Sequence, residues 1–195
     1  MERIFVKPGS PIKLDHLKRY QWAVNHIGLF REDNSCSTIL DCACGCGYGS
    51  NLIAKNNPDC QIIGVDLSLI EAITFAKKWW ATLPNLSFLE GDIQKLIFGM
   101  GVFDAIVSLE SIEHTINPLK TLIELKRVLK PTGILILSFP SSPTIKKNHW
   151  HLSEVKNFDE AKYLVNLAGF SIRQEWQQDK SFGVFACVKK EIDNE

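Results

Sequence analysis

Neither sign of charge dominates this chain: 22 Lys and Arg stand against 22 Asp and Glu over 195 residues. No basic run exceeds a pair, as at Lys146-Lys147 and Lys189-Lys190, so electrostatics gives no case for tracking a nucleic-acid backbone. Also missing is any apolar run near the ~20 residues of a bilayer span. The N-terminal MERIFVKPGSP has no signal-peptide core. These absences predict a soluble, cytoplasmic chain without membrane insertion. A second cysteine cluster is lacking too. Cys42, Cys44 and Cys46 alternate, while Cys36, Cys60 and Cys187 are scattered. Zinc would need well-spaced ligand pairs, so reduced thiols filling a tight turn are expected, with Cys36 exposed and oxidisable. Without repeats, low-complexity tracts or a linker, residues 1–195 read as one domain: a leading helical segment over 1–36 and a core over 37–191.

What is present centres on Thr38 to Ser50, TILDCACGCGYGS. Three β-formers run into Asp41, then into a turn with Gly45, Gly47 and Gly49, then into a helix start. Glycine lets bare backbone approach a ligand, and such a turn aims backbone N–H groups at the head of the next helix. The following strand, Cys60 to Asp66, ends on a carboxylate about 20 residues beyond the turn, placed to accept from both hydroxyls of a ribose. Together they predict a nucleoside-bearing cofactor across the carboxyl ends of two parallel strands.

Strand and helix alternate along the chain. Residues 14–29 carry apolar positions at helical spacing. Strands are expected at 37–42, 61–66, 86–89, 103–109 and 134–139, with 130–133 a turn. Helices are expected at 48–56, from Ser68 (capping, with Glu71) to Trp80, 117–129 and 159–168. Residues 170–176 and 182–189 have no helix between them and should pair antiparallel. Successive β-α units force parallel strands with helices on both faces of an open sheet.

The set LDCACGCGYG, VDLS, Gly91-Asp92, FDAIVSLESIEH and LIELKRVLKPTGILILSFP resembles class I S-adenosylmethionine (SAM)-dependent methyltransferases over nearly the whole length. Glu-x-x-Glu-His after the fourth strand and the leading HLKRYQWA are similar to the branch of ubiquinone-biosynthesis O-methyltransferases and bacterial small-molecule methyltransferases. The resemblance implies a Rossmann-like α/β fold with a seven-stranded, mostly parallel sheet in the order 3-2-1-4-5-7-6, strand seven antiparallel.

It also implies roles. Asp66 would take the ribose, with Leu67 beside the adenine. Asp92 would accept from the adenine amino group and Ile93 cover the ring. Ala43, Gly45 and Gly47 would hold the methionine part, with Asp41 bracing the turn and Leu109 adding a contact. Arg19 or Tyr20 would close over the methionine carboxylate. Methyl transfer is an in-line displacement helped by orientation, desolvation and proton removal. Glu110, His114 and His151 are the candidates beside the acceptor, with Glu113 and His149 nearby. A divalent ion at the Glu/His cluster is a further option, but no metal ligand is assigned.

Residues 109–112 lack the Asn/Asp-Pro-Pro-Tyr of amino-methylating enzymes and the Pro-Cys of cytosine C5 chemistry. The expectation is methyl transfer to oxygen of a small-molecule, lipid or sugar acceptor by a monomer or homodimer. A non-catalytic SAM-binding module, a metal-dependent RNA 2′-O-methyltransferase and an NAD(P) oxidoreductase stand as alternatives. For the last, the third glycine arrives one residue early.

Overall fold

The computed structural model describes residues 5–27, 38–67, 71–140, 155, 157–178 and 182–190. Its strands are β1 Thr38–Cys42, β2 Gln61–Asp66, β3 Leu86–Glu90, β4 Phe103–Ser108, β5 Leu129–Pro140, β6 Phe170–Gln178 and β7 Phe182–Lys189. Its helices are α1 Leu14–Ile27, α2 Tyr48–Asn56, α3 Glu71–Trp79, α4 Pro118–Val128 and α5 Phe158–Leu167, with a short 3₁₀ turn at Ile112–His114. The seven strands form one sheet in the order β3-β2-β1-β4-β5-β7-β6. Strands β1 to β5 pair parallel, and β7 lies antiparallel between β5 and β6. This is the expected class I methyltransferase order.

Both faces of the sheet are covered, and adjacent strand residues therefore serve opposite cores. Ile39 faces a cluster with Ala23 and Ile27 of α1, Ile53 of α2 and Ala76 of α3. Leu40, the next residue, faces Leu122, Leu125 and Val128 of α4 and Val165 of α5. Pro118 opens α4, and the Asn117 side chain accepts from the Lys120 N–H at 2.9 Å. This supplies a backbone donor with the partner that the first helical turn lacks. Asn157 does the same for Glu160 at 2.8 Å, which starts α5 at Phe158, one residue earlier than the sequence suggests.

Residues 130–133, expected as a turn, lie within β5. Leu129 already pairs with Phe103, and the register then jumps from Phe103↔Leu129 to Ala105↔Ile134. The extra residues form an irregularity in the ladder, closed by Gly133, where an added Cβ would lie 2.6 Å from the Leu129 side chain. Trp80 is buried and its indole N–H donates to the Val6 carbonyl at 2.8 Å. Trp79 stays at the rim, under the Lys7 ammonium. The expected Ser68 cap, the leading helix beyond Ile27, Cys36, His149 and His151 lie outside the described residues.

Candidate functional site

The carboxyl ends of β1 and β2 meet at residues 43–47. Ala43, Gly45 and Gly47 all have positive φ, at 62°, 55° and 91°. The Gly45 N–H donates to Asp66 Oδ2 at 2.8 Å, and the Cys44 N–H to the Val65 carbonyl at 3.0 Å. Asp66 thus fixes the turn from the neighbouring strand while its carboxylate stays at the strand end.

The three glycines have different jobs. At Gly47 an added Cβ would lie 2.8 Å from both Ala76 and the Phe88 ring, and at Gly49 it would enter the Tyr20 ring. Those two serve packing. Beside Gly45 nothing among the described residues lies within 4 Å of such an atom, so of the three it is the one whose backbone faces no described neighbour. This narrows the expectation that the whole turn faces a ligand.

Asp41 is fully buried beneath the turn. Ser50 Oγ donates to its Oδ2 at 2.5 Å and Tyr20 Oη to its Oδ1 at 3.4 Å. Burial nevertheless pushes its carboxyl up to about 7. Asp41 therefore braces α1 and the head of α2 together. Burial, and then Asp41 and Asp66, drive the Cys42 and Cys44 thiols well above their ordinary range, so they behave as small core residues.

Tyr20, expected over a methionine carboxylate, is instead a packed core ring bonded to Asp41. Arg19 is also buried. Its Nη1 donates to Gln178 Oε1 at 2.7 Å and its Nη2 pairs with Glu110. Leu67 is exposed and Ile93 buried beyond β2 and β3. Asp92 Oδ1 accepts from the Gln94 N–H at 2.8 Å, so it shapes its own turn. Leu109 is buried at the end of β4.

Glu110 follows with φ 49° and its N–H bonded to Ser138 Oγ at 2.8 Å. This locks the β4 end to β5 and turns the Glu110 side chain toward α1. Glu113 goes inward: it is buried, and burial first, then the nearby Glu110, pushes its carboxyl up to about 8. His114 is half-buried in the same 3₁₀ turn. Glu110, before the turn, and Glu113, within it, thus point different ways. Among the described residues, no group of three or more His, Cys, Asp or Glu is placed to hold a metal ion.

Sequence reasoning missed His16, Tyr48, Ser50 and Gln178. His16 lies three residues before Arg19 on α1, and Tyr48 sits inside the glycine turn motif; both were readable as neighbours of named residues. Gln178 had no local signal, since it meets Arg19 across 159 residues.

The residues present suit a SAM-type ligand: an open-sided Gly45 backbone, a strand-end carboxylate at Asp66, and apolar Leu67 and Ile93 alongside. Residues 33–188 match the family described as "Methyltransferase domain". The chain is 32% identical to a malonyl-[acyl-carrier protein] O-methyltransferase of Halalkalibacterium halodurans, over 57% of this chain and 42% of that protein. It is 30% identical to a fatty-acid O-methyltransferase of Mycolicibacterium smegmatis, over 66% of this chain and 46% of that one. The chain therefore spans less than half the length of these two curated relatives. A solved SAM-dependent methyltransferase from Aquifex aeolicus superposes with TM-score 0.71 at 22% identity, covering 90% of this chain and 94% of that one.

Proposed function

The chain belongs to the methyltransferase domain family, and from that premise we propose that it transfers the methyl group of SAM to an oxygen of a small-molecule, lipid or sugar acceptor. The observation that carries this reading is the Gly45–Asp66 hydrogen bond beside open space. It puts a bare backbone edge beside a carboxylate of the kind a ribose would need, at adjacent strand ends, where an open α/β sheet binds its ligands.

Asp66 would accept from the ribose hydroxyls, with Leu67 and Ile93 against the adenine and Asp92 near its amino group. Ala43 and Gly45 would hold the methionine portion above the Asp41 brace, with Gly47 shaping the turn through its packing on Ala76 and Phe88 and Leu109 closing the far side. Arg19 and Tyr20 would act through the position of α1. When bound, SAM supplies an electrophilic methyl group on a sulfonium. The chain's own contribution is then to orient the acceptor, exclude water and take its proton. Glu110 and His114 of the loop after β4, together with His151, would line the acceptor side.

The test incubates the full chain with methyl-labelled SAM and a panel of catechol, a monosaccharide and palmitic acid. Label on any member supports an enzyme. SAM bound without transfer to any of them, or to a metabolite extract, would leave only a binding module.

A further inference from the structure

Three side chains from three elements meet above the glycine turn: His16 of α1, Tyr48 at the head of α2 and Glu110 after β4. His16 Nδ1 lies 3.0 Å from Tyr48 Oη, a hydrogen bond, whereas His16 Nε2 lies 3.7 Å from Glu110 Oε2, too long for one. The other Glu110 oxygen is engaged by Arg19. The His16 and Glu110 side chains keep 24% and 25% of their surface exposed, so a small molecule can reach them.

A neutral imidazole carries one ring proton. On Nε2 it would be drawn toward the carboxylate, to the ~2.7–2.9 Å of a charge-assisted bond. A proton on Nδ1, donated to Tyr48, would leave a bare lone pair on Nε2. We propose that His16 Nε2 takes the proton of a hydroxyl acceptor, with Tyr48 orienting the ring and Glu110 stabilising the imidazolium. This rests on the methyl-transfer reading and narrows its acceptor to a hydroxyl, because a carboxylate acceptor is already ionised and has no proton to give.

The electrostatics agree. Burial lowers the proton affinity of His16 below the ordinary histidine value; Arg19 and Lys13 act in the same direction, and Glu110 and Asp15 oppose them. Tyr48, facing it from α2, is held protonated, chiefly by burial. The ring is therefore neutral and able to accept near physiological pH. In the step, the acceptor oxygen–carbon bond forms as the donor's sulfur–carbon bond breaks with its electron pair left on sulfur. The hydroxyl proton passes to Nε2 and then to solvent.

Two measurements test this. Long-range proton–nitrogen NMR on the full chain, with His16 assigned through His16→Gln, should show the Nδ1–H tautomer and a titration midpoint below that of an ordinary histidine. Glu110→Gln should lower that midpoint further. A dominant Nε2–H tautomer, or an unmoved midpoint in Glu110→Gln, would overturn the proposal. This readout needs neither acceptor nor SAM, so it can fail while methyl transfer stands. In the labelled panel, His16→Gln should reduce transfer to the hydroxyl compounds by about 100- to 10,000-fold. Transfer confined to palmitic acid, or undiminished transfer to hydroxyls in the variant, would overturn it. No transfer by the wild type to any member or to a metabolite extract would instead overturn the methyl-transfer reading itself.

Discussion

The Tyr20 ring packs against Gly49, leaving no room there for a Cβ. Its hydroxyl reaches Asp41 beneath the same turn. One side chain of the leading helix thus grips both the start of α2 and the carboxylate that braces the turn. Gly49→Ala should destabilise the chain by about 1–3 kcal/mol, the usual range for overpacking, and denaturant unfolding would measure it. Tyr20→Phe keeps the ring and should cost less. Equal losses in the two variants would mean that the hydroxyl, rather than the ring contact, holds α1.

Glu110 joins α1 to the end of β4 through Arg19. Glu110→Ala should cost about 2–3 kcal/mol, below the ~3–5 of fully buried pairs because Glu110 is partly exposed. Glu110 also holds a left-handed backbone at φ 49°. Glu110→Gly loses the same ion pair but relieves that strain, and should unfold about 1 kcal/mol later than Glu110→Ala. If the Gly variant were the less stable one, the backbone there would not be strained.

Asp41 and Glu113 make stability fall as pH rises. Burial raises their carboxyls to about 7 and about 8, well above the usual carboxylate range. The folded state therefore binds more protons than the unfolded state across those windows. The stability they contribute is full below the unfolded values and is lost as pH climbs to the folded ones. Chemical denaturation at a series of pH values should show Glu113→Gln with a flatter decline than the wild type between about pH 5 and 8. Parallel profiles would show that Glu113 is ionised when folded.

A largely parallel sheet with helices on both faces was legible from the β-α units, although no helix separates β3 from β4, and the strand order itself came from the resemblance to class I methyltransferases. The glycine turn and Asp66 were legible as well, since both rest on local spacing. Less visible was what depends on distant partners. The Lys130–Gly133 stretch reads as a turn, yet it is held in β5 by pairing of Leu129 with Phe103. Arg19 was expected to close over a methionine carboxylate, and nothing near it in sequence announces the partners that hold it, Gln178 and Glu110. The spacing of Glu110, Glu113 and His114 suggests one cluster, but the backbone bends at Glu110 and only the last two sit in a 3₁₀ turn. One glutamate consequently faces α1 and the other the interior.

The central claim is that the turn at residues 43–47 and Asp66 hold SAM. Calorimetry of SAM with the wild type and with Asp66→Ala tests it most directly. The wild type should bind at a single site with no competition from nicotinamide dinucleotides. Asp66→Ala should lose about 1.5–3 kcal/mol, the range for a hydrogen bond involving a charged group, or roughly 10- to 150-fold in affinity. Unchanged SAM affinity in a folded Asp66→Ala chain would contradict the claim, and so would a folded wild type that binds no SAM.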